Sequence, residues 1–139
     1  MSSTPDYEAS EQLKKEIEAW FAHYDSLVAE GDVEAMADQA MFPLNEVTDD
    51  QHGFGLVSAT GRDRFIAQMR ESGIGSSEIE MRSSRTLHVL SPALVFVVTD
   101  AIFGSGDEEA AMRYGDLLVR TPEGWRFQTM VAGGMSAQI

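Results

Sequence analysis

WFAHYDSLVAEGDVEAMA, from Trp20 to Ala37, is the stretch that decides how the rest of the chain is read. Trp20, Tyr24 and Leu27 recur every three or four residues, and Leu13 and Ile17 extend the stripe toward the N-terminus. Such spacing places one apolar stripe along a helix, the face that packs on a core. Glu30-Gly31-Asp32 ends it. Gly31 can adopt the left-handed conformation that closes a helix, and Asp32 can cap the next one, expected over Val33–Met41. Upstream, Thr4-Pro5-Asp6 has the chemistry of a helix start, leaving Met1–Thr4 as a frayed tail.

Downstream, Phe42–Val47 and Phe54–Ala59 read as two short strands around the turn residues Asp49 to Gly53. GRDRF at Gly61–Phe65 opens a third helix, with Phe65, Ile66 and Met69 on its apolar face and Gly73 as its stop. From Ser76 the period changes to two, with Ile79, Met81, Ser83, Arg85 and Leu87 on one parity. Ala93–Phe103, Glu109–Arg120 and Trp125–Ala132 then read as long strands joined by short Gly- and Pro-containing turns. Helices followed by a curved, mainly antiparallel sheet predict an α+β cone, with the sheet wrapped around the first helix and an apolar pocket open at one end.

The 139 residues fit one domain, 1–139. A net charge of −13 repels phosphate backbones and anionic lipid, so no nucleic-acid partner and no membrane partner is expected. Cysteine is absent, which excludes disulfides and thiolate chemistry and fits a cytoplasmic location. No signal peptide is read at MSSTPDYEAS, and the apolar run Ala93–Val98 is far too short for a bilayer. His23, His52 and His88 have no ligand spacing, so no metal is expected. Nucleotide loops and dinucleotide fingerprints are missing as well, and no cofactor is expected.

The helix, the Gly-Asp corner, the short second helix and the late strands together resemble the NTF2-like superfamily, the cone fold of ketosteroid isomerase and SnoaL-type polyketide cyclases. In the isomerase a Tyr on the first helix and a protonated Asp on the next-to-last strand donate hydrogen bonds to a steroid oxyanion. That resemblance implies Tyr24, in YDSLVAEGD, and Asp116, in YGDLLVRTPEGW, as the two donors. Its general base falls at Thr48, which is no base; Glu46, Asp49 and Asp50 are the nearby carboxylates.

Asp100 interrupts the apolar run VFVVTDAIF. By parity it groups with Phe96 and Val98, and it would meet Asp116 if both strands turned those faces inward. The expected catalytic set is therefore Tyr24, Asp100 and Asp116, with Trp20, Phe96, Val98, Leu118 and Met130 as substrate-binding walls. Tyr24 also fits a plain core aromatic, and Asp116 also fits an ion pair with Arg113, Arg120 or Arg126 on a solvated face. The expected ligand is a small apolar or aromatic molecule. Isomerisation, dehydration or cyclisation by acid/base groups competes with a non-catalytic ligand-binding or dimeric scaffold role. Apolar residues at both parities of the last strands predict a homodimer through the outer sheet face.

Overall fold

The apolar stripe of the first helix becomes the centre of the protein. The computed structural model describes residues 11–72, 81–105 and 108–134. Helix α1 spans Glu11–Glu30 and buries Ile17, Trp20, Phe21 and Leu27. Gly31, at φ 70°, stops it in the left-handed region. The N–H groups of Gly31 and Asp32 bond the Val28 and Leu27 carbonyls at 3.1 Å. The Asp32 carboxylate then accepts the Ala35 N–H at 3.2 Å and caps α2, Val33–Asp38.

Helix α2 is shorter than the sequence predicts. The Phe127 N–H bonds the Gln39 carbonyl at 2.9 Å, and this long-range tie draws the chain into the sheet at Ala40. Strand β1 covers Ala40–Asp49, β2 Gly55–Thr60, helix α3 Arg62–Glu71, β3 Met81–Ser91, β4 Leu94–Ser105, β5 Glu108–Thr121 and β6 Gly124–Ala132. The β1–β2 turn is closed by Asp50, whose carboxylate accepts the N–H groups of His52 at 2.8 Å and Phe54 at 3.0 Å. The expected helix start at Thr4-Pro5-Asp6, the Met1–Thr4 tail, the Gly73 stop and Ile79 lie outside the described residues.

The six strands form one sheet in the order β2-β1-β6-β5-β4-β3. Every neighbouring pair is antiparallel except β1–β6, which is parallel. This is the expected α+β arrangement of helices on a curved, mainly antiparallel sheet. The helices cover its inner face, where Ile17, Met36, Leu44, Phe65, Val95, Val97, Leu118 and Phe127 are fully buried or nearly so. Full burial of such a side chain contributes roughly 1.5–3 kcal/mol, whereas an exposed ion pair such as Arg62–Asp38 contributes about 0–1 kcal/mol. Apolar burial, not surface charge, therefore holds the helices down. No helix among the described residues is long and apolar enough to cross a membrane.

Candidate functional site

Trp20 organises the cavity. Its indole N–H donates to the Trp125 carbonyl at 3.0 Å, which fixes α1 against β6. One turn on, the Tyr24 ring stacks on Trp20 with centroids 5.2 Å apart, and Phe127 meets both rings edge-on. Beside this cluster a cavity of about 330 Å³ opens, with Tyr24, Met69, Tyr114, Asp116 and Met130 in its wall.

Asp116 reaches the cavity because β5 presents Met112, Tyr114 and Asp116 on one side, opposite Ala101, Thr99 and Val97 of β4. Those three β4 residues are buried, and Asp116 itself is only 8% exposed. Burial raises its carboxyl to about 7; Arg85 opposes the shift and Asp25 adds to it. The acid is thus half-protonated near neutral pH. Burial likewise raises the Tyr24 phenol, helped by the negative charge of Asp116, so Tyr24 stays a donor. Tyr114 is raised by burial too, with Arg85 pulling the other way. Neither Tyr24 nor Asp116 makes a side-chain hydrogen bond to a described residue, which leaves both polar ends to the cavity.

Asp100 is not part of this group. Its strand partner is Arg113, and it accepts a 2.6 Å bond from the Arg113 Nε on the outer face, where its side chain is 48% exposed. Ser105 pairs with Glu108, so two residues separate the strands and odd positions of β4 face even positions of β5. Equal parity on the two strands therefore means opposite faces. The same correction moves Phe96 and Val98 to the outer face. Leu118 points inward but is sealed in the core rather than in the cavity wall. Trp20 and Met130 line the cavity. A second, more open hollow of about 680 Å³ lies around Asp100, Arg113 and Arg82, where the ion pairs are solvent-exposed.

Two charged residues of the cavity wall escape the sequence reading. Asp25 follows Tyr24 on α1, and Arg85 sits on the inner side of β3 opposite Thr99. The guanidinium Nη atoms reach the two Asp25 oxygens at 3.2 and 3.3 Å, and the group rests 4.1 Å from the centroid of the Phe21 ring. Both residues border the cavity. The available signal was Arg85 itself, a charge on the parity that carries Leu87.

Of the three carboxylates near the base position, Asp49 accepts the Gly134 N–H at 2.8 Å and Asp50 closes its turn. Glu46 stands opposite Met130 on the inner side of β1, with its Oε1 buried and unpartnered among the described residues. Thr48 is buried on the same side. His23, His52 and His88 are all exposed, and no group of His, Asp and Glu among the described residues could hold a metal.

No protein-family model matches the chain, and no curated protein matches it by sequence. Solved structures do match in shape. An NTF2-like protein of unknown function from Pseudomonas putida KT2440 superposes with a TM-score of 0.70 at 15% identity, over 95% of each chain. The chain has the NTF2-like fold. A second NTF2-like protein of unknown function, from Shewanella oneidensis MR-1, gives 0.68 at 14% identity, covering 86% of this chain and 98% of its own. A candidate scytalone dehydratase from Novosphingobium aromaticivorans DSM 12444 gives 0.61 at 20% identity, over 85% of this chain and 80% of its own. In this NTF2-like frame the cavity lies between the first helix and the inner face of the sheet.

Proposed function

We propose that this protein binds a small, mainly apolar molecule carrying an acceptor oxygen, held by hydrogen bonds from Tyr24 and the protonated Asp116. One observation carries the reading: both groups border the same apolar cavity without other side-chain hydrogen bonds. Donors in a water-poor site stabilise developing negative charge far better than donors in water. An enolate formed during isomerisation, dehydration or cyclisation is such a charge, so acid/base catalysis of one of these reactions is the enzymatic form of the proposal. Glu46, on the inner side of β1, is its candidate base.

A phenol titration followed by NMR tests this. Phenols present a flat oxygen acceptor much as an enolate does. Binding should weaken in Tyr24→Phe and in Asp116→Asn. Equal, weak binding to all three proteins leaves only a scaffold role.

A second reading concerns assembly, and the outer sheet face favours it. Val57, Val47, Val131, Gly115 and Val98 stand side by side across five strands, and Val57 is 74% exposed. A second copy of the chain would cover this row as a two-fold dimer. Light scattering that finds a monomer at micromolar concentration removes the dimer.

A further inference from the structure

Arg85 is held in a way that leaves it under-used. It is the one basic side chain bordering the cavity among the described residues. A guanidinium offers five N–H donors; Asp25 takes two of them, at 3.2 and 3.3 Å, and the Tyr114 hydroxyl is a further hydrogen-bonding neighbour of the group. Strong charge-assisted bonds run shorter, about 2.7–2.9 Å. The Nε–H is buried with no partner among the described residues, a condition that costs free energy. The Arg85 side chain is 18% exposed and that of Asp25 37%. Asp25 can therefore exchange Arg85 for water at modest cost, while Arg85 cannot easily leave its seat on Phe21.

We infer that Arg85 is the specificity residue of the cavity, selecting ligands that carry a carboxylate in addition to the acceptor oxygen held by Tyr24 and Asp116. The inference rests on the ligand-binding reading above and names the substrate class within it. An incoming carboxylate displaces Asp25 and turns the guanidinium, so that Nε–H and one Nη–H engage it as a side-on fork. The previously unpaired Nε–H is then satisfied, and Asp25 becomes hydrated at the rim. With a chain charge of −13, the field of the whole protein disfavours anions, so selection for one needs a local cation, and Arg85 supplies it.

Calorimetric titration in mildly acidic buffer with phenol, para-hydroxyphenylacetate and the methyl ester of that acid tests the inference. The acid should bind wild type on the order of tenfold more tightly than its ester, a difference of about 1.4 kcal/mol. Arg85→Met should erase that preference, bringing the acid and its ester to equal affinity. Asp25→Asn, which keeps the side chain's shape, should widen the preference for the acid over its ester. Acid and ester binding equally to wild type overturns the inference, as does a preference that survives in Arg85→Met. Phenol binding without any preference for the acid removes the carboxylate class alone. Failure of all three probes to bind wild type removes the ligand-binding reading with it.

Discussion

The ring of Phe96 occupies the space that a side chain on Gly115 would need: a Cβ at Gly115 would lie 2.5 Å from the Phe96 Cζ. Phe96 packs there from the outer face, while the backbone at Gly115 borders the cavity on the inner one. A single layer of backbone thus separates the cavity from the outer sheet surface, next to Asp116.

Gly115→Ala should therefore destabilise the protein by about 1–3 kcal/mol, the usual cost of forcing a methyl group into filled space. Thermal melting checks this. Phe96→Leu in the same chain should recover part of the loss, because a shorter side chain vacates the ring position. Additive losses in the double variant would mean that the two residues do not share that space.

Asp116 should make stability depend on pH. Its carboxyl is raised from 3.8 to about 7 in the folded protein. Between those values the unfolded chain has released the proton and the folded chain has kept it. The contribution is therefore fully present below the unfolded value, falls as pH rises, and is lost above about 7. The full span is roughly 4 kcal/mol. Denaturant midpoints across this range should fall more steeply in wild type than in Asp116→Asn, and the variant should be the more stable protein on the alkaline side. Parallel curves would place Asp116 in a solvated setting.

The charges around Asp116 should tune it in opposite directions. Arg85 lowers its pKa and Asp25 raises it. Arg85→Met should move the Asp116 midpoint up, and Asp25→Asn should move it down, both by removing a charge and by freeing Arg85. Carbon-detected NMR of the labelled carboxyl reads both shifts. Movement of the same sign in the two variants would contradict this arrangement.

Asp100 should behave as an ordinary surface residue. Its pair with Arg113 is solvent-exposed, and such pairs contribute about 0–1 kcal/mol. Asp100→Asn should leave phenol affinity unchanged and stability nearly so, whereas Asp116→Asn should weaken phenol binding. Loss of binding in Asp100→Asn, measured by the same NMR titration, would return Asp100 to the site.

What the sequence determined by itself is what local chemistry enforces. The stripe from Ile17 to Leu27 has to face a core, Gly31 has to break the helix, Asp32 can cap the next one, and the β-branched run in Val95–Thr99 has to be strand. These features depend on neighbours within a turn or two, so they stand in the text of the chain, and with them stand the helix-then-sheet order and the inward face of Tyr24. The tertiary structure alone decided which carboxylates meet. The β4–β5 register, Ser105 against Glu108, sends Asp100 outward beside Arg113 and Asp116 inward beside Val97. Asp25 and Arg85 are 60 residues apart and become partners only because β3 closes the edge of the sheet over α1. Side-chain alternation fixes faces within one strand, but the relative register of two strands is a property of their pairing. The depth that raises Asp116 likewise comes from helices packed over it, a property no stretch of sequence carries alone.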